Sequence, residues 1–332
     1  MKIAYYTEAL GSYISGGINV IVSILNELSK LGHETCCFVK HPPFRSEWLR
    51  ADFPIYPDES NIYEEFDGIL ISPFSPTVKT VSEHKNSLDR LYHINANEGL
   101  FTYNGPEWTN RAIESYRLPV KIFCVSSYLQ IIMEQIYHRK IIGTLVPPGY
   151  DPGVFNTEGR ISYDDIGNIL IFGRGHYIRG VDTAIEAFKI AKQTLPWLKL
   201  KIIPDGIRDR YALATYYKQS NLFLDISRLA GSPTAPKEAL ACGCIPICTP
   251  YGTTDFIQTG YNGYIVPPDD PVAVANAIID YSLLSSFEQG DLYYNALASV
   301  EKYTWKDIAQ RLLAAVNEGL VRGSELLEPK KW

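Results

Sequence analysis

Short apolar strands alternate with helix-period segments along this chain, in two runs separated by a stretch rich in proline and glycine. In the first run residues 2–7 read as a strand, followed by a loop holding Gly16-Gly17. Val20, Ile24, Leu28 and Leu31 then recur at helical spacing over 18–31, Gly32-His33 closes that helix, and 35–40 reads as the next parallel strand. Further strands are predicted at 68–72, 91–95 and 121–125, and Ser126-Ser127 caps a helix to about residue 137. Val146-Pro147-Pro148-Gly149-Tyr150-Asp151-Pro152-Gly153 reads as a linker, and 156–168 carries no clear period. The pattern restarts with strand 169–172, helix 182–193, strand 198–203, helix 210–219 and strand 222–226. Helix 237–242, strand 245–248, an Asn262-Gly263 turn into 264–266 and a helix opened by Pro271 follow. A last helix over 305–320 carries Ile308, Leu312, Leu313 and Val316 on one face. Such alternation implies two open parallel sheets covered by helices, with ligands bound outside the strand ends.

Composition agrees with two domains, because 332 residues exceed what one core ordinarily supports and 46% of them are hydrophobic. A net charge of −6 argues against nucleic acid as the main partner. No apolar run is long enough to span a bilayer, and residues 1–6 read as a strand rather than a signal peptide. The six cysteines (Cys36, Cys37, Cys124, Cys242, Cys244, Cys248) are not spaced as a disulfide frame or a zinc site, which suits a reducing cytoplasm. No Asp-x-Asp pair occurs and the histidines form no helical metal pair, so no metal and no cofactor is expected. Gly-x-Gly-x-x-Gly, the P-loop pattern and Gly-x-Ser-x-Gly are also absent.

Three loops carry chemistry. Gly231-Ser232-Pro233-Thr234-Ala235-Pro236-Lys237-Glu238-Ala239-Leu240-Ala241-Cys242-Gly243 is a tight small-residue turn running into a helix. Its bare amides suit a phosphate or sugar hydroxyls, and Glu238 in the first turn can accept from a ribose diol. The same residues also suit an ordinary capped helix. Gly173-Arg174-Gly175-His176-Tyr177-Ile178-Arg179-Gly180 joins a strand to a helix, and two arginines five residues apart can fork onto a diphosphate. Gly16-Gly17, between the first strand and helix, lets the backbone approach an anion.

Together these segments resemble the retaining glycosyltransferases of the GT-B fold, family 4 (glycosyl transferases group 1). The family's Glu-Gly-(Phe or Ser)-(Gly or Pro)-x-x-x-x-Glu-Ala-Met-Ala-x-Gly loop is matched from Gly231 to Gly243, and its Gly-Arg…Lys-Gly pair by Gly173-Arg174 and Arg179-Gly180. Asn262-Gly263-Tyr264-Ile265-Val266-Pro267 resembles its Asn-Gly-x-x-Val-Pro turn, and Pro147-Pro148-Gly149-Tyr150-Asp151 through Phe155 its linker. The resemblance implies an α/β chain of two doubly wound, Rossmann-like domains facing across a cleft. It implies an acceptor domain over 1–155, a donor domain over 156–304, and a C-terminal helix over 305–325 crossing back onto the first.

It further implies that Gly16, Gly17, Arg174 and Arg179 hold a diphosphate, and that Glu238 with Asp205 and Gly206 holds the nucleoside. Ser232, Pro233, Thr234 and Ala235 would line the donor sugar. The histidine that ends the family's fourth strand falls on Asn95, with His93 two residues earlier and Glu98 three later; these three are the catalytic candidates. His93 also reads as a core residue on the same strand face as Asn95. The family's first Glu of the loop is Ala230 here, and the segment between Gly206 and Tyr216 is short for the strand most relatives place there.

The implied reaction is metal-independent front-face transfer of a hexosyl group, UDP-glucose being the commonest donor, to a saccharide or lipid-linked acceptor in polysaccharide or glycoconjugate synthesis. It would run in the cytoplasm or at the inner membrane face, with at most peripheral membrane contact. A catalytically degenerate nucleotide-sugar binder and a nucleotide-sugar epimerase are the alternatives on the same fold.

Overall fold

The computed structural model describes residues 1–11, 16–41, 49–163, 167–173, 176–207 and 209–327. The chain divides into two compact units, Met1–Pro148 joined by the chain from Trp305, and Gly149–Thr304.

In the first unit the strands are β1 (Lys2–Thr7), β2 (Glu34–Val39), β3 (Ile55–Pro57), β4 (Ile69–Ser72), β5 (Asp89–Ile94) and β6 (Lys121–Cys124). Its first helices are α1 (Gly16–Lys30), α2 (Asn61–Glu64), α3 (Ser75–Glu83), α4 (Pro106–Ser115) and α5 (Ser127–Gln135). All strands pair in parallel in the order β3-β2-β1-β4-β5-β6. The chain's direction of travel through the sheet reverses between β1 and β4, which is where an open α/β sheet leaves a crevice at its carboxyl ends. Strands β4 and β6 are buried at every residue, as parallel strands covered on both faces must be.

The second unit holds β7 (Asn168–Phe172), α6 (Val181–Thr194), β8 (Lys199–Ile203), α7 (Arg210–Lys218) and β9 (Leu222–Asp225). It continues with α8 (Ala235–Ala241), β10 (Ile245–Cys248), β11 (Tyr264–Ile265), α9 (Pro271–Leu283) and α10 (Ser286–Val300). This sheet is also all parallel, ordered β11-β10-β9-β7-β8. Here the reversal lies between β7 and β9, so the loops that follow these two strands flank the crevice.

Helix starts follow side-chain capping. Ser126 accepts from Leu129 N, Asp209 from Tyr211 N and Ala212 N, and Asp270 from Ala273 N ahead of Pro271. Ser285 and Glu288 close a capping box on α10.

The last helix, α11 (Trp305–Arg322), packs in the first unit against α1. Its carboxylate Glu318 accepts from Gly143 N at 2.7 Å and from Thr144 N and Oγ1, while Arg322 donates to Ile141 O at 2.8 Å. Its buried stripe is Trp305, Ile308, Ala309, Leu312, Ala315, Val316 and Gly319. Leu313 is only half-buried, one step off that stripe, and Leu31 lies beyond the end of α1 and is exposed.

The division between units falls seven residues before the expected 155, because 149–155 is fastened to the second unit. Tyr150 N donates to Tyr303 O at 2.9 Å, and the Phe155 ring lies 6.2 Å from that of Tyr217.

Candidate functional site

In the second unit the β7–α6 loop and the β9–α8 loop meet. Gly180, at φ +58°, ends the turn Tyr177–Arg179, and a Cβ there would stand 1.9 Å from Ile226 O. Only glycine permits both that backbone conformation and that approach. Gly173 is similarly tight, its virtual Cβ 2.9 Å from Ile203 O.

Arg228 binds the two loops together. Its backbone N donates to Ile178 O at 2.7 Å and its Nη1 to Tyr177 O at 2.6 Å, with the guanidinium carbon 4.2 Å from the centre of the Tyr177 ring. The same guanidinium reaches Asp182 at 2.8 Å and Asp269 at 2.5 Å. Asp269 holds a left-handed φ of +55°, a conformation aspartate tolerates better than most residues and which the ion pair fixes. Asp182's hydrogen bond holds Arg228 protonated, and Arg228 in turn draws the Asp182 carboxyl below its ordinary range.

Arg179 sits in the same turn and is half-buried, yet among the described residues its side chain makes no ion pair or hydrogen bond. Of the two arginines, Arg228 is the one that holds the turn. Arg174 lies outside the described residues.

The Gly231 loop is gripped from the other side by Gly252, whose φ of +72° and virtual Cβ distance of 1.7 Å from Gly231 O again admit only glycine. Ser232 is buried, while Pro233, Thr234 and Ala235 are half-buried. Glu238 follows, 7% exposed, in the first turn of α8. Asp205 and Gly206 form an exposed turn after the edge strand β8, with Asp205 Oδ1 accepting from Gly206 N at 2.9 Å.

In the first unit Gly16 and Gly17 are exposed at the start of α1, and a Cβ at Gly16 would meet nothing within 4 Å. Gly16 therefore leaves the helix start open rather than relieving a clash.

His93, one of the three catalytic candidates, lies inside the first unit. It is fully buried, stacked on Phe123 with centroids 4.5 Å apart, and both ring nitrogens are engaged. Nε2 must donate to Val146 O at 2.9 Å, and burial holds the ring's pKa down at about 4. The neutral ring's Nδ1 is then an acceptor, for the Tyr5 hydroxyl at 3.0 Å. His93 is a strut joining β1, β5 and the segment that precedes Pro148.

Asn95 and Glu98 clip the β4–α3 turn. Asn95 Nδ2 donates to Pro73 O at 2.9 Å and to His93 O at 3.0 Å. The Glu98 carboxylate accepts from Ser75 Oγ at 2.6 Å and Ser75 N at 3.1 Å. It thereby supplies the cap that Phe74, at the N-cap of α3, does not. Burial pushes the Glu98 carboxyl up to about 7 despite those hydrogen bonds.

Sequence reasoning passed over Arg228 and the buried Lys237. The partners that single out Arg228 lie 46 and 41 positions away, and only the folded sheet brings them together. Lys237 could have been noticed as a lysine on the side of α8 that meets the core.

Residues 167–282, all within the second unit, match the family model described as Glycosyl transferases group 1. That match covers about a third of the chain. No curated protein matches the chain in sequence.

Among solved structures, sucrose-phosphate synthase from Thermosynechococcus elongatus is similar over 97% of this chain and 100% of its own, with TM-score 0.74 and 15% identity. A glycosyltransferase from Rickettsia africae matches over 97% and 99% with TM-score 0.70 and 16% identity. Anabaena HepE, solved in complex with UDP-glucose, matches over 96% and 99% with TM-score 0.70 and 13% identity. The fold is the GT-B architecture that the sequence resemblance implied.

Proposed function

We propose that the chain transfers a hexosyl group from a nucleotide sugar, UDP-glucose foremost, to a saccharide or lipid-linked saccharide, with retention at the anomeric carbon and without a metal. The observation that carries this reading is Arg179 at the reversal point of the matched domain, held in a turn that Arg228 and Gly180 fix, with its own guanidinium uncommitted among the described residues. A guanidinium so placed forks onto diphosphate oxygens and stabilises the charge that builds as the diphosphate leaves. Arg174 is assigned the same role, Glu238 the ribose hydroxyls, Asp205 and Gly206 the border of the base, and Pro233, Thr234 and Ala235 the sugar.

In the first unit, Gly16 and Gly17 offer open amides to an anion. Asn95 and Glu98 are assigned to holding the β4–α3 turn in shape. With Ala230 where the family has glutamate, no carboxylate nucleophile is invoked at that position. The acceptor hydroxyl attacks from the face the diphosphate leaves, and a leaving phosphate oxygen takes its proton.

No helix among the described residues is long and apolar enough to cross a membrane. Work in the cytoplasm or at the membrane's inner face, in polysaccharide or glycoconjugate synthesis, is part of the proposal. The test is nucleoside diphosphate release from a panel of UDP-, GDP- and ADP-sugars with and without saccharide acceptors, with the product anomer read by NMR. Acceptor-dependent release with retained configuration supports the reading; binding without turnover, or isomerised sugar, contradicts it.

A further inference from the structure

The Gly231 loop contains a lysine that water does not reach. Lys237, in the first turn of α8, is fully buried. Burying an ammonium is costly unless the surroundings compensate it, and a methionine of similar length would fill the same space without that cost. Its Nζ lies 4.1 Å from the centre of the Phe256 ring and 5.6 Å from that of Tyr303, both faces that attract a cation. It also lies 2.9 Å from Ser232 Oγ and 3.3 Å from Pro233 O.

An ammonium has donors and no acceptor, so Ser232 Oγ must accept from Lys237. The hydroxyl's own hydrogen is then left to point elsewhere, and among the described residues it has no protein acceptor. A hydroxyl polarised by a neighbouring ammonium in a water-poor setting donates more strongly than one in water.

We propose that Lys237 is a positioning residue that fixes Ser232 as a hydrogen-bond donor toward an oxygen of the nucleotide sugar. This rests on the reading of the Gly231 loop as part of the donor seat. It explains why the loop keeps a buried charge at a place where an apolar side chain would pack more cheaply.

The test compares the unsubstituted protein with Ser232→Ala, Ser232→Thr, Lys237→Met and the double variant S232A/K237M. Each is titrated calorimetrically with UDP-glucose, GDP-mannose and ADP-glucose, and its unliganded melting midpoint is recorded. S232A and K237M are each expected to weaken the tightest-binding of these sugars about tenfold, the usual scale for one hydrogen bond to a charged group. The double variant should bind no more weakly than the worse single one, since both remove the same hydrogen bond. S232T, which keeps the hydroxyl, should bind nearly as the unsubstituted protein does.

Unchanged affinity in S232A overturns the proposal whatever becomes of the Lys237 variants, because the serine substitution is too small to unfold the chain. Losses that add in the double variant overturn it as well, since they mean the two residues act separately. If the unsubstituted protein binds none of the three sugars, the donor-site reading itself falls, and this inference with it.

Discussion

Arg179 and Arg228 stand one loop apart and do opposite things. Arg228 spends its guanidinium on Asp182, Asp269 and Tyr177 O, so its removal should loosen the turn. Arg179 has no such ties among the described residues, so Arg179→Met should leave the unliganded melting point within a degree or so while weakening UDP binding about 10- to 100-fold, the worth of one or two charge-assisted hydrogen bonds. Isothermal titration alongside a melting curve separates the two quantities. Glu238→Ala should weaken UDP about tenfold by the same measurement; equal affinity would remove the ribose assignment. Gly180→Ala is the residue-scale test of the scaffold. A methyl group 1.9 Å from Ile226 O at φ +58° cannot be accommodated without moving the turn. The variant should lose ~3 kcal/mol or more in a urea titration, together with nucleotide affinity.

At the scale of elements, β5 and the segment after it carry two buried groups that titrate in opposite senses. His93 has its pKa depressed to about 4, so between roughly pH 6.5 and 4 the unfolded chain takes up a proton that the folded one refuses. Its contribution to stability is present above the unfolded pKa and is lost as pH falls. Glu98 is raised to about 7, so its contribution is present below about pH 4.5 and is lost as pH rises through 7. The two slopes oppose each other over about pH 4.5 to 6.5. Glu98→Gln removes one of them. Its urea midpoint should fall more steeply toward acid than that of the unsubstituted protein, and parallel midpoint–pH curves would contradict the assignment.

The strands were the most legible elements. Ile69–Ser72, Lys121–Cys124 and Ile245–Cys248 are buried along their whole length, and such strands print continuous apolar runs in the sequence. Helices α4 and α10 were not legible. In α4 only Ala112 and Ser115 are buried. In α10 Gln289 and Gly290 face inward while Phe287 and Tyr294 are 77% and 64% exposed, so apolar spacing does not mark the buried face. Of the site, what a glycine or a turn demands could be read in advance, as at Gly180 and in the Gly231 loop. The roles of Arg228, Lys237 and the fully enclosed His93 depend on neighbours distant in sequence, and no local pattern announces them.

For the whole molecule, two parallel sheets of different strand order each place a reversal point at their carboxyl edge, and the segment similar to the group 1 glycosyltransferase family model holds the one lined by Arg179 and the Gly231 loop. A ligand bound only by the folded chain stabilises it by about 2.7 kcal/mol when present at a hundred times its Kd. The most direct measurement is therefore the melting midpoint of the unsubstituted protein and of the double variant R174M/R179M, with and without saturating UDP, GDP or ADP. One of the three nucleotides should raise the midpoint of the unsubstituted protein by several degrees and leave the double variant where it was. Equal shifts in both proteins, or no shift with any nucleotide, would contradict the claim that these arginines grip a nucleoside diphosphate.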